Sequence, residues 1–178
     1  MNILILFAGL PGVGKSTISK AVGKRSGATI VDIDEFKKTD VDPVLVKSQI
    51  DPPEQRWAYY QKALKHVFDL FNQGTPTVIM DEVFHLHSLR VQLEDMCQAR
   101  NVRVRWVEVR CPYDTVEKRL QSRAREGHVL STEEALKMHT LFTKIFEKFP
   151  AHSENHVVVN NESHANADVL ADYVLKRC

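Results

Sequence analysis

The apolar positions along this chain fall into two alternating patterns. Asn2 to Ala8 holds Ile3, Leu4, Ile5, Leu6 and Phe7 in an unbroken run, as expected of a strand covered on both faces. From Gly14 and Lys15 the period changes, and Ile18 and Val22 fall on one face of a helix that stops near Gly27. Ala28 to Ile33 reads as a second short strand. Between Glu54 and Asn72, the residues Trp57, Tyr60, Leu64, Val67, Phe68 and Phe71 recur at helical spacing, and Gly74 follows the end. On that helix Tyr59 points away from the Trp57–Tyr60 face. Thr77 to Met80 is a third β-rich run.

The alternation then repeats. Leu89, Leu93, Met96 and Cys97 mark one helix face, and Val102 to Val109 is a strand interrupted by Arg103 and Arg105, as expected nearer a sheet edge. Asp114 with Glu117 predicts a capping box and a helix through Arg125. Ser131 with Glu134 predicts another, before a helix carrying Met138, Leu141, Phe142, Ile145 and Phe146. His156 to Val159 is a fifth strand, and a last helix carries Val169, Leu170, Tyr173 and Val174. Strands separated by helices predict a mainly parallel five-stranded sheet covered on both faces, a three-layer α/β/α fold. Ligands of such sheets bind beyond the carboxyl ends of the strands, so the residue after each apolar run is where chemistry is expected.

Composition narrows the class. The 178 residues suit one domain over 1–178, with 43% hydrophobic and 26% charged residues and a formal charge of +1. A near-neutral chain has no global field to draw it onto nucleic acid or a membrane surface. No apolar stretch approaches the ~18 residues of a membrane span. Cys97, Cys111 and Cys178 are scattered, with no metal-type or disulfide spacing, as expected of reduced thiols in the cytoplasm.

The first strand ends on Gly9-Leu10-Pro11-Gly12-Val13-Gly14-Lys15-Ser16, followed by Thr17. This is the G-x-x-x-x-G-K-[ST] loop, and each part of it has a physical task. The glycines let the backbone curl so that successive N–H groups converge on phosphate oxygens, and the following helix aims its N-terminus at the same place. Lys15 supplies a cation for the outer phosphates, and Ser16 a hydroxyl for Mg²⁺. The pattern therefore points to ATP with Mg²⁺.

Past the second run stand Asp32-Ile33-Asp34-Glu35-Phe36-Lys37. On an extended chain Asp32 and Asp34 face the same way, and a phosphotransferase needs one carboxylate to deprotonate the accepting hydroxyl and another to help position Mg²⁺. Asp81, at the end of the third run before Glu82, is a second metal candidate, or a group that orients the base. Arg119 and Arg123, four apart on a helical face, can neutralise phosphate charge from a lid spanning about 119–131. The acceptor is expected against about 36–57. His85-x-His87 reads as a pair of polar loop residues, since no Cys or third His lies close in sequence.

The succession of the Gly9–Thr17 loop, Val31-Asp32-Ile33-Asp34-Glu35-Phe36, Val78-Ile79-Met80-Asp81-Glu82-Val83-Phe84 and Arg119-x-x-x-Arg123 resembles small P-loop kinases of the AAA_33 grouping. Relatives include polynucleotide 5′-hydroxyl kinases, zeta-toxin-like and chloramphenicol phosphotransferase-like enzymes and, more distantly, gluconate and shikimate kinases. The resemblance implies that Asp34 is the base, that Lys37 stands where an arginine meets a substrate phosphate, and that Asp81 steadies that region. It implies lid contacts with nucleotide phosphates or base for Arg119 and Arg123. Lysine at 37 lacks the bidentate fork of arginine, which disfavours a nucleic-acid acceptor.

These features predict an ATP- and Mg²⁺-dependent kinase acting on a hydroxyl of a small molecule. Cofactor contacts are expected from Gly9, Leu10, Pro11, Gly12, Val13, Gly14, Lys15, Ser16, Thr17, Arg119 and Arg123. Metal contacts are expected from Ser16, Asp32 and Asp81, and acceptor contacts from Asp34 and Lys37. A 5′-hydroxyl polynucleotide kinase is the first alternative, and a nucleotide-hydrolysing switch without an acceptor the second. The guanine-reading Asn-Lys-x-Asp motif is absent, for the fifth strand runs out into Asn160-Asn161-Glu162-Ser163.

Overall fold

A computed structural model describes residues 1–38, 50–122, 131–151, 153–162 and 165–178. Five strands, β1 (Asn2–Ala8), β2 (Thr29–Asp32), β3 (Thr77–Asp81), β4 (Val102–Arg110) and β5 (His156–Asn160), form one sheet in the order β2-β3-β1-β4-β5. Every pairing is parallel. The helices are α1 (Lys15–Ser26), α2 (Ile33–Lys38), α3 (Pro53–Asn72), α4 (His87–Gln98), α5 (Tyr113–Ser122), α6 (Thr132–Ile145) and α7 (Ala167–Leu175).

The unbroken apolar run of β1 reflects its place at the centre. Its side chains alternate between two cores, Leu4, Leu6 and Ala8 entering one and Ile5 and Phe7 the other. The first core is roofed by α3 and α4, through Tyr60, Leu64, Val67, Leu89 and Leu93. The second is covered by α1, α5, α6 and α7, through Ile18, Val22, Val116, Leu120, Ala135, Ala171 and Val174. Leu4, Leu6 and Phe7 are wholly buried, each worth roughly 1.5–3 kcal/mol relative to exposure. The architecture is the expected three-layer α/β/α sandwich.

From β1 the chain crosses to β2 on one side, and from β3 it crosses back to β4 on the other. The crevice opens where those directions diverge, at the carboxyl end of β1. The loop from Gly9 to Gly14 sits there.

Several local expectations are corrected. Strand β2 ends at Asp32 and helix begins at once, so Asp32 and Asp34 do not share an extended segment. Asp32 Oδ1 instead accepts the Asp34 N–H at 2.9 Å, a local turn of the kind short acidic side chains favour. The helix α5 starts at Tyr113, behind Pro112, whose carbonyl accepts the Thr115 and Val116 N–H groups, so Asp114 lies inside the first turn rather than capping it. By contrast, Ser131 and Glu134 form the complete reciprocal capping box. On α6 the buried stripe is Ala135, His139 and Phe142, and Ile145 is exposed. On α7, Val169 and Tyr173 face outward while Ala171 and Val174 pack inward. Tyr59 is buried beside Tyr60, its hydroxyl accepting from Gln55 at 2.6 Å.

Candidate active site

The loop after β1 is pinned before it meets any ligand. The Gly9 N–H donates to the Val83 carbonyl at 3.3 Å, tying the loop to the segment after β3. Gly12 and Gly14 have φ of 80° and 97°, left-handed values that glycine adopts without a Cβ clash. Lys15 opens α1 and folds back, its Nζ donating to the carbonyls of Gly9 (2.9 Å) and Leu10 (3.1 Å). Burial pushes the Lys15 ammonium below the ordinary lysine range, opposed by the charges of Asp81, Glu82 and Asp34.

The charges of Asp34, on α2, and of Asp81 and Glu82, at the end of β3, act on the loop lysine, although Asp81 and Glu82 lie more than sixty residues from it in sequence. Asp81 receives the Ser16 hydroxyl on Oδ1 at 3.3 Å and the Ser19 hydroxyl on Oδ2 at 2.9 Å. Burial raises its pKa, opposed by Lys15 and the Ser19 hydrogen bond. Asp32 stands in register with Asp81 on the neighbouring strand. Ser16 and Asp81 offer hard oxygen donors, the set that suits Mg²⁺, which takes one or two carboxylates and completes its shell with waters and phosphates. Among the described residues, no group of three or more His, Cys, Asp or Glu could hold a metal unaided.

Asp34 and Lys37 lie on α2, one turn apart. Lys37 Nζ donates to Asp34 Oδ1 at 2.9 Å and also to Glu82 Oε2. On its other side Glu82 Oε1 accepts from Arg56 NH1 at 3.2 Å and from the Val83 N–H at 2.8 Å. Burial alone would raise Glu82, but Lys37 and Arg56 hold its carboxyl well below the usual carboxylate range. Burial likewise opposes charge on Lys37, and Glu82 and Asp34 reverse that and raise it. The resemblance places the steadying of Lys37 on Asp81, whereas the structure gives that task to Glu82. The two adjacent residues serve opposite sides: Asp81 turns to α1, and Glu82 to α2 and α3.

The chain after Glu82 is held in an unusual conformation. Phe84 has a φ of 49°, in the left-handed region that costs a bulky residue about 1–3 kcal/mol. It is held by the Arg90 guanidinium, which donates to the Phe84 carbonyl at 2.7 Å, and by ring contacts with Tyr60 and Trp106. His85 lies in the loop between β3 and α4, as expected, but it is buried against the Phe142 ring rather than exposed. Burial, with Arg56 beside it, pushes its pKa down to about 4, so it is neutral near pH 7.

On the other side of the loop, Arg119 is half-buried and turned toward the segment after β5. Its guanidinium donates to the Asn161 carbonyl and Oδ1, both at 3.3 Å, and to the Glu162 carbonyl. Asn161 is itself buried, with its Nδ2 donating to the Val13 carbonyl at 2.7 Å. His139, from α6, places Nδ1 2.7 Å from the Pro11 carbonyl. Arg123, most of the expected lid, and positions 39–49 of the expected acceptor segment lie outside the described residues.

Sequence reasoning missed Ser19, Arg56, Glu82, His139 and Asn161 as site residues. Two of them carried a signal, since Arg56 falls on the buried stripe with Tyr60 and Ala63, and His139 falls between Ala135 and Phe142. A polar residue inside an apolar stripe needs a buried partner.

The profile of the AAA_33 family, described as an AAA domain, matches residues 4–145. The chain belongs to that family, and its fold is that of small P-loop kinases. No curated protein sequence matches it. Similar solved structures include a sugar kinase from a Janibacter species, with a TM-score of 0.75 at 17% identity, covering 99% of this chain and 94% of that one. A gluconokinase from Sinorhizobium meliloti aligns with a TM-score of 0.67 at 14% identity over 97% and 89% of the two chains. The APS kinase of Mycobacterium tuberculosis, solved with AMPPNP and APS, aligns at 0.66 and 16% identity over 98% and 96%.

Proposed function

We propose that this chain is an ATP-dependent kinase that moves the γ-phosphate to a hydroxyl of a small-molecule acceptor in the cytoplasm. The observation that carries this is the convergence of the Gly9–Thr17 loop with the carboxylates after β2 and β3: Ser16 meets Asp81 at 3.3 Å, and Lys37 bridges Asp34 to Glu82, the residue next to Asp81. An acceptor hydroxyl beside Asp34 would lie next to a phosphoryl group held by Lys15, as in-line transfer requires. Ser16 and Asp81 would hold Mg²⁺, with Asp32 beside them, and the metal would neutralise charge on the phosphates. Asp34 takes the proton from the acceptor. The likeness to a sugar kinase, a gluconokinase and APS kinase supports the same class of reaction.

The disposition of Lys37 favours a small acceptor over a polynucleotide. Its ammonium is already offset by the carboxylates of Asp34 and Glu82, so of its three N–H donors it has one left for a substrate phosphate and no unbalanced positive charge to draw one in. ADP release is therefore expected to rise with a sugar, polyol, nucleoside or hydroxylated antibiotic, and not with a 5′-hydroxyl oligonucleotide. Stimulation by the oligonucleotide alone would transfer the assignment to polynucleotide kinases. Steady ATP hydrolysis that no acceptor changes would make the chain a hydrolytic switch.

Arg119 has two tasks in this reading, closing on the nucleotide and tying α5 to the segment after β5. Arg119→Ala is expected to raise the KM for ATP and to lower Tm by about 2–4 °C, the shift that ~1 kcal/mol gives in a domain of this size. Loss of Tm with an unchanged KM would leave it a structural clamp only.

A further inference from the structure

A phosphate-binding loop works only if its N–H groups point inward, and the peptide plane makes that a question about its carbonyls. In a trans peptide the C=O of one residue and the N–H of the next point in opposite directions. A donor that holds a loop carbonyl outward therefore aims the following N–H inward. Lys15 meets the carbonyls of Gly9 and Leu10, but it is itself the cation expected to meet phosphate, and Pro11, after Leu10, has no N–H to aim. The Pro11 carbonyl is met by His139 Nδ1 and the Val13 carbonyl by Asn161 Nδ2, both at 2.7 Å. The N–H groups that follow belong to Gly12 and Gly14.

Neither contact is an accident of packing. His139 is 3% exposed in a stripe otherwise formed by Ala135 and Phe142, where an aliphatic residue would avoid burying a polar ring. A carbonyl can only accept, so Nδ1 carries the proton. The ring is further held edge-to-face by Tyr113 at 5.6 Å. Asn161 is 7% exposed, and the Arg119 donor on its Oδ1 leaves the Nδ2 end to face Val13. Its Nδ2 lies 2.3 Å from where a Cβ on Gly14 would stand, so the glycine makes room for the amide as well as for the turn.

We propose that His139 and Asn161 are positioning residues of the phosphate-binding loop, fixing the Pro11–Gly12 and Val13–Gly14 peptide planes so that both N–H groups meet nucleotide phosphates. The inference rests on the loop binding a nucleotide, and it adds two residues from distant parts of the chain to that task. Neither residue touches the nucleotide in this role. Each supplies a preorganised dipole, so that binding need not reorient the backbone.

The test measures Kd for ATP and for inorganic tripolyphosphate, with Tm recorded for each protein. His139→Phe keeps a ring against Tyr113 and loses the donor. His139→Asn loses the ring and keeps a donor near the Nδ1 position. Asn161→Ala loses its donor and leaves Arg119 the carbonyls of Asn161 and Glu162. Loss of one oriented hydrogen bond is expected to weaken both ligands about fivefold in His139→Phe and in Asn161→Ala. His139→Asn should bind both within about twofold of wild type, although its lost packing gives it the lower Tm. Wild-type affinity in folded His139→Phe overturns the proposal, as does His139→Asn binding as poorly as His139→Phe. Weakened ATP with unchanged tripolyphosphate overturns it too, by moving the effect to the nucleoside. Should the α6 variants not fold, Asn161→Ala makes the same comparison from another element. A wild-type chain that binds neither ligand removes the nucleotide reading itself, whereas variants that match a binding wild type remove only this inference.

Discussion

Replacing Lys15 by alanine is expected to lower turnover by about 100-fold or more while the domain stays folded. The ammonium is the cation that the loop itself brings to the expected path of the phosphoryl group, and it is only half-buried, so its removal leaves no large cavity. Burial lowers its pKa, and Asp81, Glu82 and Asp34 oppose the shift, which marks it as a charge held ready in a confined place. Its bonds to the Gly9 and Leu10 carbonyls add a second effect. Without them the front of the loop loses its own brace, and ATP affinity should fall alongside the rate. A structural lysine would show a different signature, a lowered Tm with normal turnover per folded molecule. Turnover, ATP titration and thermal melting on one preparation separate these outcomes, and near-normal phosphoryl transfer by folded Lys15→Ala would sink the assignment.

Much of the frame was readable because its causes are local. The buried run of β1, the glycines, the α1 helix and the Ser131–Glu134 box each depend on residues adjacent in sequence, and pattern reasoning reads such neighbours well. The residues that escaped it act across long separations. Arg56 reaches Glu82, Asn161 reaches Val13 and His139 reaches Pro11 only after the sheet is assembled. The division of labour between Asp81 and Glu82 could have been derived, because adjacent residues at a strand end turn to opposite faces of the sheet. The mistake at Asp32 and Asp34 was of another kind. The two-residue spacing is decisive only on an extended chain, and a carboxylate that caps its own turn ends the extension at Asp32.

That turn gives Asp32 and Asp34 different expected responses to the same substitution. Asp34→Asn keeps the size of the side chain and an oxygen for Lys37, but it removes the group that can take the acceptor proton. The fold should tolerate it, because Asp34 is about half exposed and Lys37 retains Glu82 as its partner. Loss of a general base costs ~10²–10⁴-fold in the chemical step, and turnover with a verified acceptor should fall by that order. ATP affinity should barely change, since in the proposed site the carboxylate would meet the acceptor and the phosphates would lie in the Gly12 to Thr17 cradle. Asp32→Asn should be milder, because the amide oxygen can still accept the Asp34 N–H and start α2. If Asp32 also helps to seat Mg²⁺ beside Asp81, raising the metal concentration should recover part of the Asp32→Asn loss and none of the Asp34→Asn loss. Acceptor turnover and ATP titration, each across a Mg²⁺ series, distinguish the two variants. Full activity in Asp34→Asn would end its assignment as the base. Recovery of Asp34→Asn by Mg²⁺, with weakened ATP binding, would move Asp34 to the metal site and leave Asp32 as the remaining candidate for the proton.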